Sequence, residues 1–534
     1  MSAAILTLRA RGPQDIELGA LNSDATFFRS SFPKPTNFAT SDLELQSTSG
    51  QMNYGNEITW QLQRTGDLVC NMMLYVTISS IAISSSITQE TVNATKYKCY
   101  QDATGQTRFL SKVFVDALPY ALIDRLSLNI GGYDIEELRG DWMYINDKLN
   151  RAAGSSYVDS APTAHGGVTK FNECDFMDFD GGVQYGVKTS SQLASSTTAT
   201  TPAGLPVESG ASPNIANAVT SGWRWAQYPN SGALGGPDFK QFAYPMVNRG
   251  DVDQRIYIPV QFTCTSDWGQ SLPIIALAYH DTRVKARFRN LSEVSIFNQV
   301  GNGILQVKDQ PQITCTGANF NATLITRLVW LDDFERKSFA LESHRYLLTE
   351  TQYQSFAVDS GASTQSFSLY MSHPVKELLL YFRKSAYSDP SSTALVNNYW
   401  NFTMDGNPAD ATEAQLGVPG YRDWFTYLNL SFNQQKVYND GENSQYFTWL
   451  LPQQYHSRSI ANQSRVAIMP FAADPASWKP TGTVNLSRMD QVQLIVNFNV
   501  PAGQHLPSGT FYVIGRNFNY MKVVSGMAAK IYAA

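Results

Sequence analysis

Residues 478–498 read WKPTGTVNLSRMDQVQLIVNF, and the second half of this stretch decides the interpretation of the chain. From Val492 to Phe498, apolar residues occupy every second position, and Gln493 and Asn497 lie between them. This period is typical of a β-strand that buries one face, because successive side chains of a strand point to opposite sides. The turn-forming residues KPTG precede it. The stretch therefore predicts a strand at the rim of a half-buried sheet.

The first half of the same stretch gathers polar residues that could belong to either an active site or a turn. Lys479, Ser487, Arg488 and Asp490 lie close together in the sequence. Because strand alternation follows them directly, we predict that these four residues anchor a turn and the start of the strand.

The period of two recurs along the chain. It is clearest in EITWQLQ (57–63), DRLSLNI (124–130), RIYIPVQFTC (255–264) and KELLLYFRK (376–384). The chain is therefore predicted to be mainly β. Residues 189–236 have no period and are rich in Ser, Thr, Ala, Gly and Pro, which predicts a long surface loop.

Two segments have a helical period instead. Residues 133–150 place four apolar side chains on one stripe, and two acidic residues near the start suggest an N-terminal cap. Residues 332–343, DDFERKSFALES, are a second candidate helix. The stripe comprises Leu138, Trp142, Ile145 and Leu149, and the cap would be formed by Asp134 and Glu137.

A weak internal repeat suggests a duplicated β-domain. An offset of 304 residues relates LSLN at 126–129 to LSFN at 430–433, and the same offset relates Trp142 to Tyr446. Two copies of one domain would place a strand and an aromatic-bearing segment at the same separation. The length of 534 residues also fits about two to four domains.

Composition excludes several functional classes. The charged fraction of 16% is low, and the net charge of -5 argues against coating nucleic acid by bulk electrostatics. The five cysteines are widely spaced with no CxxC pair, which predicts neither a zinc knuckle nor a disulfide scaffold and fits a reducing compartment. No secretory signal and no membrane-spanning run of about 18 apolar residues is expected.

Catalytic and ligand-binding motifs receive little support. The available parts of a Ser-His-Asp triad are His280 with Asp281, His344 near Asp332 and Asp333, and Ser487 near Asp490. They come without a G-x-S-x-G motif. Histidines with metal-ligand spacing and a phosphate-binding Gly-rich loop followed by Lys are also missing from the sequence. We therefore predict no catalytic, metal-binding or cofactor-binding residues.

The densest positive charge lies in RVKARFRN, where four basic residues alternate with apolar ones. Arg283, Lys285, Arg287 and Arg289 would share one face of a strand. This row could be a solvated face that discourages edge pairing, a contact with a neighbouring subunit, or a nucleic-acid contact. Of these uses, we retain the subunit contact as the candidate functional one.

Several segments share a family resemblance. They are GPQDIEL (12–18), TFFRSSFPKPTNFA (26–39), IGGYDIEELRGDWMYINDKL (130–149), IYIPVQFTCTSDWGQSLPIIALAYHDTRV (256–284), HPVKEL (373–378), the opening stretch, and NFNYMKVVSGMAAKIYA (517–533). Together they resemble the double jelly-roll major capsid proteins of nucleocytoplasmic large DNA viruses, which include phycodnaviruses and iridoviruses. These segments occur in order and cover both ends of the chain, whereas residues 153–250 match nothing in the family.

The resemblance implies an all-β fold of two consecutive eight-stranded jelly rolls with short helices and long loops. We expect residues 1–24 to form an N-terminal arm facing the capsid interior, residues 25–341 a first jelly roll, and residues 342–534 a second. The implied function is that of a major capsid protein, a structural protein whose homotrimers form pseudo-hexagonal capsomers of an icosahedral virion shell.

The implied partners are neighbouring capsomers, penton and minor capsid proteins, and an internal membrane reached through the N-terminal arm, with no direct nucleic-acid contact. Assembly in the host cell cytoplasm is expected. Two alternatives remain open: a secreted β-sandwich that binds carbohydrate or is a glycosidase, using aromatics such as Trp223 and Trp225, and a minor vertex or spike protein of the virion.

Overall fold

A computed structural model provides the structure of the chain. It describes residues 35–78, 82–83, 88–92, 95–101, 107–109, 118–150, 254–294, 300–301, 304–305, 315–316, 320–359, 361, 363–385, 402, 404, 423–438, 443–456, 466–500 and 505–532. The predicted arm 1–24, the predicted loop 189–236, and both Trp223 and Trp225 lie outside these residues.

Eight strands form the first barrel as two four-stranded antiparallel sheets. One sheet has the order β1-β8-β3-β6 and the other β2-β7-β4-β5. The strands are β1 (Phe38–Leu45), β2 (Glu57–Gln61), β3 (Leu68–Ile78), β4 (Ile123–Ile130), β5 (Tyr133–Arg139), β6 (Gln254–Pro259), β7 (Thr282–Phe288) and β8 (Phe320–Leu331).

Eight further strands form the second barrel in the same way. Its sheets have the orders β9-β16-β11-β14 and β10-β15-β12-β13, and the short strands Val484–Asn485 and Met527–Lys530 extend the first of these sheets by pairing with β11 and β16. The strands are β9 (His344–Val358), β10 (Thr364–Ser368), β11 (Pro374–Lys384), β12 (Phe425–Phe432), β13 (Gln435–Lys436), β14 (Ala467–Pro470), β15 (Val492–Phe498) and β16 (Gly509–Val524).

The two barrels have the same connectivity. In each, the first, eighth, third and sixth strands make one sheet, and the second, seventh, fourth and fifth make the other. This order is that of a jelly roll, an antiparallel double sheet. The predicted all-β fold with two consecutive eight-stranded jelly rolls is therefore confirmed.

Helices and short strands connect the barrel strands. The α-helices are α1 (Leu118–Leu122), α2 (Gly140–Asn150), α3 (Thr263–Ser266), α4 (Leu291–Val294), α5 (Asp333–Leu341) and α6 (Leu451–Tyr455). A π-helical turn covers Tyr446–Leu450, and 3₁₀ turns cover Trp268–Gln270, Ile274–Ala276 and Leu486–Arg488. Short strands cover Ala82–Ile83, Thr88–Val92, Thr95–Gln101, Thr107–Phe109, Val300–Gly301, Ile304–Leu305, Cys315–Thr316, Val484–Asn485 and Met527–Lys530.

The stretch 478–498 forms the half-buried strand that its sequence predicts, but the predicted place at the sheet rim is wrong, because β15 lies between β10 and β12. Burial alternates along β15, with Val492 and Phe498 in the core of the second barrel. Before the strand, the Ser487 Oγ accepts a hydrogen bond from the His373 backbone N–H at 2.7 Å, and the Ser487 N–H donates to Asn485 Oδ1 at 3.1 Å. These bonds fix a 3₁₀ turn, so Ser487 anchors the turn as predicted.

The internal repeat corresponds to a matching hairpin in each barrel. LSLN lies in β4, and LSFN runs from β12 into the turn after it. Both hairpins have two-residue loops whose residues have positive φ: Gly131 and Gly132 in the first barrel, Asn433 and Gln434 in the second. Such loops match the twist of antiparallel strands. Duplication is confirmed, although the two turns are 302 residues apart, from 131 to 433, rather than 304.

The helix predicted over 133–150 is shorter than its pattern suggested. Helix α2 begins at Gly140, and residues 133–139 belong to β5. The predicted cap is therefore wrong, because Asp134 and Glu137 lie in the strand and not at the helix start. The second predicted helix is confirmed as α5.

Each barrel has its own apolar core, and the two cores meet through one sheet. Strand β11 is buried at every position from Val375 to Arg383. Its Leu378 and Leu380 point into the second barrel, whereas Leu379 and Tyr381 join the core cluster of the first. The outward face of the β9-β16-β11-β14 sheet is thus covered by the first barrel, and we call this contact the junction.

Candidate functional site: the basic strand face and the junction

The basic row predicted from RVKARFRN lies on β7, which pairs with β2 on one side and β4 on the other. Because β7 is an interior strand, the row does not protect a sheet edge, and that part of the solvated-face interpretation is wrong. Arg283 and Arg287 are exposed and Lys285 is half-buried. Each contacts an acidic residue of the same chain, and these partners are Asp281 at 3.4 Å, Asp124 at 3.6 Å and Asp134 at 3.7 Å, respectively.

Arg289 does not belong to this exposed face. Strand β7 ends at Phe288, so strand alternation no longer places the next side chain outward. The Arg289 side chain is only 11% exposed, and its Nη2 lies 3.6 Å from Asp141 Oδ1 at the junction. Of the four predicted subunit-contact residues, three share the exposed face and Arg289 is a junction residue.

Asp141, at the start of α2, joins the two barrels through a buried ion cluster. Its Oδ1 lies 3.2 Å from Arg383 Nη2, and its Oδ2 accepts a hydrogen bond from the Tyr381 hydroxyl at 3.0 Å. Burial alone would raise the pKa of Asp141, but the charges of Arg383 and Arg289 outweigh it and lower the pKa to about 2. The carboxylate is therefore ionised between its cationic partners.

A second buried cluster surrounds Glu377 on β11. Arg516 Nη1 donates to Glu377 Oε1 at 2.6 Å, and His456 Nε2 lies 2.9 Å from Glu377 Oε2. The Arg516 guanidinium stacks on Trp142 of α2, 4.6 Å from the ring centre. Burial opposes ionisation, but His456 and Arg516 hold the pKa of Glu377 well below its usual range. This cluster connects the second barrel to α2 of the first.

Next to Glu377, a buried lysine has an altered titration. Lys376 Nζ donates a hydrogen bond to the Ser477 carbonyl oxygen at 3.1 Å and lies 5.2 Å from the ring centre of Phe518. Burial, reinforced by the charge of Arg516, lowers the pKa of Lys376 to about 6.

A third polar contact at the junction is formed by Glu136 on β5. Both of its carboxyl oxygens accept a hydrogen bond from the Thr263 backbone N–H, at 3.0 and 3.1 Å. The Thr263 hydroxyl in turn accepts a hydrogen bond from the Thr349 N–H of the second barrel at 3.0 Å. Burial raises the pKa of Glu136 to about 8, so its carboxyl group is protonated at neutral pH.

A cavity of about 560 Å³ opens beside these groups. Glu136, Thr263 and Trp142 line it from the first barrel, and His456 and Arg516 line it from the second. The junction therefore combines apolar packing, buried charged groups and a cavity large enough to hold water.

Replacing Glu136 by Gln is expected to remove a pH dependence of stability. Because the folded pKa of about 8 exceeds the model-compound value of 4.5, Glu136 makes the folded state less stable as pH rises through this interval. Above pH 8, we expect the free energy of unfolding of E136Q to exceed that of the wild type by about 2 to 3 kcal/mol. The adjacent cavity limits this gain in stability, because it lessens the desolvation of ionised Glu136 in the wild type.

Urea unfolding at pH 5, 7 and 9 would measure this difference. The exposed variant Glu44→Gln serves as the control, with no change expected. A difference between E136Q and the wild type that stays constant from pH 5 to pH 9 would contradict the assigned titration.

The residues considered for a catalytic triad have structural partners instead. His280 Nδ1 accepts a hydrogen bond from the Ala528 backbone N–H at 3.2 Å, and His344 Nε2 lies 2.7 Å from the Phe339 carbonyl oxygen. Ser487 holds the turn described above. Within the described part of the chain, no three His, Cys, Asp or Glu side chains are grouped as metal ligands require.

Two protein-family descriptions match the chain one after the other. "Major capsid protein N-terminus" matches residues 26–178 and 240–332, and "Large eukaryotic DNA virus major capsid protein" matches residues 335–529. The expectation that residues 153–250 match nothing in the family is therefore wrong for 153–178 and 240–250. The chain belongs to the major capsid proteins of large eukaryotic DNA viruses. The matches change over at α5, between the two barrels of this major capsid protein.

Relatives of known name agree with this assignment. The major capsid protein of Phaeocystis pouchetii virus is 22% identical, and that of Paramecium bursaria Chlorella virus 1 is also 22% identical, each over 100% of both chains. Pyramimonas orientalis virus has a major capsid protein that is 23% identical over the same coverage.

Solved structures share the fold of this major capsid protein. A quasi-atomic model of the PBCV-1 virus capsid has a TM-score of 0.60 with 19% identity, over 95% of this chain and 100% of that chain. The Faustovirus major capsid protein has a TM-score of 0.59 with 11% identity, over 98% and 97%.

The junction was not predicted from the sequence, although one signal pointed to it. In KELLLYFRK the residues between the predicted inward leucines are also apolar, which indicates a strand buried on both faces. The charged residues within this strand, Glu377 and Arg383, then require buried partners.

Among the described residues, no helix has the length and apolarity needed to cross a bilayer.

Proposed function

We propose that this major capsid protein is the structural shell subunit of an icosahedral virion and acts as a homotrimer without catalysis. Three chains would form a pseudo-hexagonal capsomer, and capsomers would tile the shell. The observation that carries the proposal is the junction, which holds two barrels of identical connectivity together within one chain. Three such pairs supply six similar barrels around a threefold axis.

The junction supports this role because its contacts oppose hinge motion between the barrels. Leu379 and Tyr381 of the second barrel pack into the core cluster of the first, and the Asp141 and Glu377 clusters add buried ion pairs. Domain contacts that are both apolar and extensive resist relative motion. A pseudo-hexagonal block requires this fixed geometry.

The division into domains remains part of the proposal. We propose an arm at 1–24 facing the capsid interior, a first jelly roll at 25–341 carrying the surface loop 189–236, and a second at 342–534. The end of α5 at Leu341 and the start of β9 at His344 support the boundary between the barrels.

The proposed partners follow from a shell position. They are neighbouring capsomers, penton and minor capsid proteins, and an internal membrane contacted by the arm, while direct nucleic-acid binding is not expected. Assembly would take place in the host cell cytoplasm and end in the virion capsid. On the exposed face of β7, Arg283, Lys285 and Arg287 remain candidates for a subunit contact. Their ion pairs within the chain are weak, so replacing them by ion pairs with a neighbouring chain costs little free energy.

Size-exclusion chromatography with light scattering tests the proposal on the purified full chain. We expect a particle of three times 59.3 kDa that persists on dilution, because obligate interfaces of this class bury roughly 2,000 Å² or more. A monomer at all concentrations, or hydrolysis of glycans by the purified protein, would overturn the proposed function.

A further inference from the structure

We propose that the outward face of the β1-β8-β3-β6 sheet binds the helical segment 443–455 of a second copy of this chain. This inference rests on the proposed trimer and names the surfaces that form it. It comes from comparing the two barrels: the equivalent sheet face of the second barrel is already covered within the chain, by the equivalent helix of the first.

The outward residues of the first barrel's sheet form a defined pattern. Tyr75, Met73 and Asn71 follow one another at alternate positions of β3, and Ile325 and Arg327 of β8 pair with Met73 and Asn71. Met73, Tyr75 and Ile325 are half-buried, not enclosed. The face is therefore a partly apolar surface that water reaches.

The second barrel repeats this pattern in the same register. Tyr381, Leu379 and Glu377 alternate along β11, and Ile514 and Arg516 of β16 pair with Leu379 and Glu377. When the two sheets are aligned by these strand pairs, Tyr75 corresponds to Tyr381, Ile325 to Ile514 and Arg327 to Arg516. Here, however, Leu379, Tyr381 and Ile514 are fully buried.

Helix α2 buries the face of the second barrel together with Phe402, whose ring centre lies 4.6 Å from that of Tyr381. Asp141 contacts Tyr381 and Arg383, and Trp142 stacks on Arg516. Residues 140–145 of α2 are all buried, because the helix packs on its own barrel on one side and on the second barrel's sheet on the other.

The segment 443–455 occupies the equivalent place in the second barrel, since it follows β13 as α2 follows β5. Its Phe447 and Leu451 are buried in the core of that barrel. Trp449 and Leu450, by contrast, are 49% and 53% exposed. An exposed Trp-Leu pair on a helical segment whose Phe447 and Leu451 are buried is typical of an interface.

A second copy is the occupant that fits both surfaces. Among the residues that the structure describes, each chain has a partly exposed sheet face, centred on Tyr75 and Ile325, and an exposed helical ridge, Trp449 and Leu450. The two surfaces differ, so their contact is heterologous, and a heterologous contact that closes forms a ring. Three copies then contain three junctions within chains and three equivalent contacts between chains.

Aspartate substitutions on each surface test this assignment. In the full chain, Ile325→Asp and Leu450→Asp should each reduce the particle from three chains to one in light scattering, because a charge would be buried without a partner. Far-UV circular dichroism should stay unchanged, since both side chains contact water in the single chain. Tyr370→Asp, at an 81% exposed position of the second barrel, is the control that should remain trimeric.

Mixing the two variants gives the decisive result. Ile325→Asp retains its ridge and Leu450→Asp retains its sheet face, so one intact contact remains possible and the mixture should form a dimer. If Leu450→Asp unfolds, Trp449→Ala with Leu450→Ala replaces it, and if Ile325→Asp unfolds, Ile325→Ala replaces it, each with at least a tenfold rise in the trimer dissociation constant expected.

The possible outcomes separate this inference from the proposed function. Trimers that persist in the variants, or a mixture that stays monomeric, would overturn this contact and leave the trimer standing. A monomeric wild-type chain would overturn both.

Discussion

Asp141→Asn is expected to lower the free energy of unfolding by about 3 to 5 kcal/mol, because it removes the negative charge from a buried ion cluster. The Arg383 side chain is 5% exposed, and it would lose the carboxylate that lies 3.2 Å away. Arg289, at 3.6 Å, would lose the same partner. The asparagine can still accept the Tyr381 hydrogen bond, so the cost is mainly the uncompensated charge of the guanidinium groups.

Guanidinium unfolding monitored by tryptophan fluorescence would measure this loss. The matched control is Asp124→Asn, because Asp124 also contacts Arg289, at 3.9 Å, but has a side chain that is 45% exposed. Exposed ion pairs are worth about 0 to 1 kcal/mol, so this control should change little. Equal effects of the two substitutions would show that the buried cluster does not hold the barrels together.

The pH dependence of the stability that Asp141 contributes follows from its lowered pKa. The pKa of Asp141 is about 2 in the folded chain against 3.8 for the model compound, so its contribution is fully present above pH 4. It is lost as pH falls from about 4 to 2. Asp141→Asn should therefore flatten the acid limb of the stability curve over this interval.

The fold could be predicted because strands carry their burial in a local pattern. The alternation in 492–498 became β15, and the repeat of LSLN as LSFN marked the same hairpin in both barrels. Each of these signals spans a few residues. The predicted start of the helix was wrong for the same reason. The helical period of 3.6 includes Leu138, but pairing within the sheet extends β5 to Arg139, so α2 begins only after it.

The junction could not be predicted because its partners are far apart in the sequence. Asp141 and Tyr381 are separated by 240 residues, and nothing near either one indicates the other. The basic row illustrates the limit. Alternation placed Arg289 with Arg283 and Arg287, but one residue after the end of β7 it turned inward to Asp141.

Glu377→Gln is expected to have an effect at least as large, because Glu377 is fully buried against Arg516 and His456. It lies 2.6 Å from Arg516 and 2.9 Å from His456, and Lys376 adjoins it in β11. Removing one member of a buried pair leaves its partner charge in a low-dielectric site, which costs about 3 to 5 kcal/mol. Because Arg516 also stacks on Trp142, we expect the loss to loosen the junction as well as the second barrel.

Glu377 should contribute, together with Asp141, to the loss of stability of the wild type on acidification. Its pKa is lowered far below 4.5, so its stabilising contribution is present above that pH and is lost as pH falls below it. Urea unfolding of Glu377→Gln should show the largest deficit near pH 7 and a smaller one near pH 3, whereas the exposed control Glu342→Gln should follow the wild type throughout. A deficit that grows on acidification would mean that the carboxylate is not what Arg516 and His456 stabilise. The buried charge would then have to be balanced elsewhere in the sheet.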